Sequence, residues 1–165
     1  MGTWKLICIF PPYLPYTQTL DTIEVGELIE KISKNLKESY PEIKFRIDNS
    51  EEMTILPKDE NGFEIFIQED EREHTIHFGT WHFHFDNDAD GKNELLDYLT
   101  FGMSKFGRLK AYLRNGREYK WTFETLAEDG VSWESAGTMG LMNLNFLAKK
   151  EIKYYQNQLM DPMEK

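Results

Sequence analysis

The chain has 165 residues, 29 of them acidic and 19 basic, for a formal charge of −10 at pH 7, with 40% apolar and 14% aromatic side chains. That is enough apolar material for the core of one ordinary domain, so a wholly disordered chain is excluded and no disulfide staples are needed. The negative balance sets the surface against phosphate backbones and anionic lipid, so no nucleic-acid or membrane partner is expected; a basic protein or a cation suits it better.

Residues 4–10 (WKLICIF) read as a short buried strand or as part of an arm laid over the core. Lys5 interrupts the run and Pro11-Pro12 stops it, so it is too short for a membrane span and no A-x-A-like cleavage site follows. The single cysteine, Cys8, has no partner for an internal disulfide, and a reducing cytoplasm is the simplest setting. Pro11, Pro12 and Pro15 then force an extended path. Residues 1–20 are thus expected to be an extended N-terminal arm, with a polyproline ligand as the competing reading.

A first helix follows, capped by Asp21 or Thr22 with Glu24 in its first turn. Val25, Leu28, Ile29, Ile32 and Leu36 fall at helical spacing, and Tyr40-Pro41 ends it. Alternation of Ile43, Phe45 and Ile47 with Lys44 and Arg46 predicts a strand with one buried side. Residues 53–56 suggest a short strand, and residues 63–69 and 74–78 a hairpin with an acidic tip. Gly79-Thr80 is a two-residue turn, from which residues 81–85 return. A second helix is expected from about Asp90 to Phe106, with Leu95, Leu96, Leu99, Met103 and Phe106 on its apolar face.

Residues 108–125 predict a hairpin around Asn115-Gly116. A two-residue loop would set Leu113 opposite Glu118 and Ala111 opposite Lys120. A three-residue loop sets Ala111 opposite Tyr119 and Leu109 opposite Trp121, which keeps apolar residues on one face and is preferred. Gly137, Met139, Gly140 and Met142 read as a flexible loop. Strands near 131–136 and near Leu144 or residues 152–155 complete the sheet, and residues 156–165 are expected to fray. The fold class is α+β: a single domain over residues 1–165, with a twisted, mostly antiparallel sheet and two main helices packed against it.

Two constellations could carry chemistry. In the Gly79-Thr80 hairpin the expected pairs are Phe78 with Trp81, His77 with His82, Ile76 with Phe83, and Thr75 with His84. One face is core; the other carries His77, His82 and His84, with Asp86 beyond. Three imidazoles and a carboxylate are a first shell for zinc, and an open position there could activate water for a metal-dependent hydrolase. The plainer reading, histidines at half-exposed strand positions, is preferred.

Residues 86–91 spell D-N-D-A-D-G, continuing to Glu94 and Asp97, close to a calcium-loop formula with Asp86, Asp88, Asp90 and Asp97 as candidate ligands of a calcium-stabilised domain. Asp88 or Asp90 as a helix cap explains the same residues more simply. No Walker loop, dinucleotide fingerprint, nucleophile elbow or catalytic Cys/His pair is present. No catalytic residue and no cofactor is therefore assigned, with zinc or calcium as the alternatives. Glu69, Asp70, Glu71 and Glu73 form a solvated tip that could contribute to a protein-binding face.

Trp81-His82-Phe83-His84-Phe85-Asp86, followed by an acidic helix and a basic N-G hairpin, resembles the W-H-x-H-F-D signature of bacterial immunity-like proteins from polymorphic toxin systems. The resemblance spans residues 75–124. It departs from the signature's pattern in Phe83 and in the extended run of aspartates. It implies a non-enzymatic, cytoplasmic α+β protein that binds and blocks a cognate toxin, with no catalytic residues to carry over. The acidic charge would speed encounter with a basic toxin. The oligomeric state is left open.

Overall fold

The computed structural model describes residues 26–142 and 149–161. The expected arm, the caps Asp21 and Thr22, and Glu24 lie outside the described residues. Helix α1 (Glu27–Ser39) buries Leu28, Ile29, Ile32 and Leu36 on one stripe, as the 3.6-residue spacing requires. It begins at Gly26, whose φ of 101° is left-handed. A β-carbon there would also stand 2.6 Å from the Ser50 carbonyl oxygen, so this corner demands glycine.

Five strands follow as an antiparallel meander in sequence order: β1 (Phe45–Asn49), β2 (Glu52–Ile55), β3 (Ile65–Glu69), β4 (Glu73–Phe78) and β5 (Trp81–Asp86). Ile43 is buried and Phe45 half-buried, but Ile47 is 46% exposed, so the expected buried side of β1 fades at the edge of the sheet. Helix α2 (Ala89–Met103) buries Leu95, Leu99 and Met103. It stops short of Phe106, because the chain turns at Ser104 toward the next strand.

The remaining strands form a second sheet rather than completing the first. Strands β6 (Gly107–Arg114), β7 (Arg117–Leu126), β8 (Trp133–Gly140) and β9 (Lys150–Tyr155) lie in the order β8-β7-β6-β9, all antiparallel. The turn between β6 and β7 has two residues, Asn115 and Gly116, both at positive φ. The preferred three-residue loop is therefore incorrect. Leu113 does oppose Glu118, but a bulge at Tyr119 then sets Ala111 opposite Trp121 and Leu109 opposite Phe123. The bulge keeps the apolar residues of both strands on one face with a two-residue turn.

The expected loop around Gly137 and Met139 is strand β8. Gly137 (φ 152°) lets the Trp81 indole approach until its Nε1 donates to the Gly137 carbonyl at 3.1 Å. Residues 156–161 are not frayed. Asn157, 2% exposed, receives a hydrogen bond from the Phe63 amide (3.1 Å) and donates to the Phe63 and Gly102 carbonyls (2.9 and 3.0 Å).

The two sheets and α2 meet at an aromatic cluster. Phe78 lies 4.3 Å from Phe123 and 5.6 Å from Trp81 between ring centres, and Trp81 lies 5.3 Å from Phe123. Full burial of each such side chain is worth about 1.5–3 kcal/mol. Gly102 permits the approach, since a β-carbon there would stand 2.5 Å from the Phe78 ring.

Candidate functional site

The β4–β5 register is the expected one, with Phe78 opposite Trp81, His77 opposite His82, Ile76 opposite Phe83 and Thr75 opposite His84. Period-two alternation puts Trp81 and Phe85 in the core, with Phe83 packed half-buried beside them. His77, His82 and His84 share the outer face, with ring centres 5.0 Å apart for His77–His82 and 5.2 Å for His82–His84. Phe66 of β3 extends the row, 5.3 Å from His77. Burial lowers the His77 pKa, and the neighbouring His82 and His84 lower it further.

His84 Nδ1 stands 2.9 Å from Glu73 Oε1 and 3.2 Å from Thr75 Oγ1. A carboxylate accepts only, so Nδ1 carries the proton. Among the described residues no three His, Cys, Asp or Glu side chains are arranged to hold a metal ion. The residues proposed for zinc share a face as expected, yet their side chains are not gathered around a common point.

The calcium loop does not form, because the chain is already helical from Ala89. Asp90 and Asp97 lie within α2, and Asp88 is its N-cap, accepting from the Gly91 amide at 2.8 Å. Gly91 is required for another reason: a β-carbon would meet the Asp86 carbonyl oxygen at 2.1 Å. Capping accounts for Asp88, and the close approach to Asp86 accounts for Gly91.

The acidic tip also differs from expectation. Asp70, Glu71 and Glu73 are exposed, but Glu69 is 3% exposed and faces the core in line with Ile65 and Ile67. Its carboxylate accepts from the backbone amides of Leu28 (3.3 Å) and Ile29 (3.2 Å). It thus caps α1 from another element and complements the positive end of the helix dipole.

Directly across the β3–β4 ladder sits His74, with no exposed surface. Neither ring nitrogen makes a hydrogen bond of ordinary geometry, although Asn87 lies close enough to favour the protonated ring. Burial nevertheless holds the His74 pKa below its ordinary value; Glu69 opposes this and Lys92 adds to it. Lys92 is itself lowered, first by burial, with Glu69 and Glu27 opposing. This buried pair, with half-buried Lys92 beside it, was missed in the sequence reading. The parity of Glu69 with Ile67 and of His74 with Ile76 was the available signal.

The structure joins the two acidic segments. Glu73 and Asp86 are directly opposite in the β4–β5 ladder, and the Asn87 side chain donates to the carbonyls of Asp70 (3.3 Å) and Glu71 (3.1 Å). The tip and the start of α2 are therefore one acidic end of the five-stranded sheet. Like charges directly opposite are destabilising, and His84 contacts Glu73 at 2.9 Å. Among the described residues no helix is long and apolar enough to cross a membrane. Comparison with protein-family models, with curated proteins and with solved structures finds no match to this chain.

Proposed function

We propose that the chain is a non-enzymatic, cytoplasmic protein-binding module of the immunity type, which engages a basic protein partner through its acidic end. The observation that supports this reading is the juxtaposition of Glu73 with Asp86, tied to Asp70 and Glu71 through Asn87. Carboxylates held opposite one another repel, and a cationic partner relieves that repulsion on docking. Their exposure suits them to steering an encounter.

The test uses the triple variant Glu71→Gln, Glu73→Gln, Asp86→Asn, which leaves the caps Glu69 and Asp88 intact. Wild-type chain is used to capture proteins from the source cell, and association with a captured basic protein is timed at two salt concentrations. The variant is expected to associate severalfold more slowly at low salt, with a smaller change in dissociation. Equal association by the variant, or an on-rate indifferent to salt, refutes the reading.

A further inference from the structure

The outer face of the four-stranded sheet has the opposite character from the rest of the chain. By ladder register, Arg108, Lys110, Arg114, Arg117, Lys120 and Lys150 all fall on that face. Glu124 is the one carboxylate at its register positions among the described residues. Six cations against one carboxylate form a concentrated basic patch on a chain of charge −10. With four strands about 4.8 Å apart, the patch is about 15 Å wide, more than one screening length at physiological salt. A ligand on it is governed by the local cations more than by the distant acidic end.

The patch already holds one carboxylate. Glu124 receives hydrogen bonds from Arg108 Nε (2.7 Å) and Lys110 Nζ (3.2 Å). The aromatic rings there have cations over them. The Arg108 guanidinium lies 4.0 Å from the Trp133 ring centre and 4.4 Å from that of Tyr154. Lys120 stands 4.9 Å from the Tyr112 ring and Arg114 4.8 Å from the Tyr119 ring. Beside them Ile152 (52%) and Tyr154 (46%) are among the exposed large hydrophobic residues.

We propose that this face is a docking surface for an acidic polypeptide segment, whose carboxylates pair with the cations around Lys120 and whose apolar side chains rest on Ile152. A single-stranded nucleic acid would need open ring faces on which to stack its bases. Here cations stand over those rings, which favours carboxylate recognition. The acidic end belongs to the other sheet, so this proposal stands apart from the one above.

The test titrates fluorescently labelled octaglutamate, and separately labelled octauridylate, with the full chain and reads anisotropy at two salt concentrations. The expected result is octaglutamate binding that weakens as salt rises and exceeds octauridylate binding. The double variant Lys120→Glu, Arg117→Glu should bind octaglutamate at least about tenfold more weakly with an unchanged melting temperature. Should that variant melt early, the milder pair Arg117→Gln, Lys150→Gln, at exposed positions, provides the reading and should weaken binding severalfold. The triple variant at the acidic end should bind octaglutamate at least as well as wild type. Absence of octaglutamate binding, equal binding by a folded basic-face variant, or tighter binding of octauridylate overturns the proposal.

Discussion

Replacing Glu69 tests the arrangement that ties α1 to the five-stranded sheet. Its carboxylate is the acceptor for two amides in the first turn of α1, at 3.3 and 3.2 Å, and it is 3% exposed. Glu69→Ala leaves both donors without this acceptor and removes the negative charge from the positive end of the helix. Loss of a cap costs about 0.5–2 kcal/mol, and an unsatisfied buried donor about 1–3 kcal/mol. Both hydrogen bonds are long, so the lower half of each range applies, and relief of the desolvated carboxylate offsets part of the loss. The expected cost of Glu69→Ala is about 2–4 kcal/mol.

Glu69→Gln keeps one carbonyl oxygen as acceptor but loses the charge, and should cost about 1–2 kcal/mol. Urea unfolding followed by far-UV circular dichroism measures both, with a shifted midpoint and an unchanged slope. Amide exchange at Leu28 and Ile29 should accelerate more than at Leu36. An alanine variant within about 0.5 kcal/mol of wild type, or a glutamine variant less stable than the alanine one, refutes the capping argument.

Three further outcomes are expected. Because burial lowers the His74 pKa, the unfolded chain takes up a proton near the ordinary value of about 6.5, whereas the folded chain does so only lower. The stability from neutral His74 is therefore present above about pH 6.5 and lost as pH falls through the folded pKa. Urea unfolding should show His74→Leu losing part of that slope, and an unchanged slope would contradict it. Phe83→Ala should cost about 2–3 kcal/mol, less than for a fully buried ring, while His84→Ala should cost under about 1 kcal/mol; the reverse order in a denaturant titration would mean the β5 faces are misassigned. Gly91→Ala should lower the melting temperature by at least about 5 °C, because its β-carbon meets the Asp86 backbone, and excess calcium should shift neither wild type nor variant. A calcium-dependent rise in melting would restore the ligand reading of Asp86, Asp88, Asp90 and Asp97.

The β4–β5 hairpin was legible because two independent signals agreed: alternation through residues 74–78 and 81–85, and a glycine at the turn. The two helices were legible from spacing, since Leu28, Ile32 and Leu36, and Leu95, Leu99 and Met103, are the buried stripes. Where the reading failed, a tertiary contact overrode a local preference. Nothing local shows that Gly137 is a strand residue, because its role is to admit the Trp81 indole, 56 positions earlier. A bulge at Tyr119 allows a two-residue turn and a common apolar face together, an option that turn length alone conceals. The acidic string at 86–91 matched a ligand formula because a helix start and a cation loop both favour aspartate and glycine.

Net charge was the least transferable of the readings. The value of −10 argues against anionic partners only if the charge is spread evenly, and the fold sorts it instead. Strand β6 places its cations at alternate positions, the bulge at Tyr119 brings Arg117 and Lys120 of β7 to the same side, and Lys150 of β9 pairs with Arg114, so Arg108, Lys110, Arg114, Arg117, Lys120 and Lys150 share one face. The β4–β5 ladder likewise sets Glu73 against Asp86 at the end of the other sheet. Screening at physiological salt falls off over about 8 Å, a shorter distance than the width of either sheet. A partner at contact range therefore meets one face and its sign, while the total charge acts mainly on solubility and on encounter at low salt. For that reason the two docking proposals, of opposite charge preference, are compatible on one small domain. Each is decided by substitutions on its own sheet and not by altering the net charge.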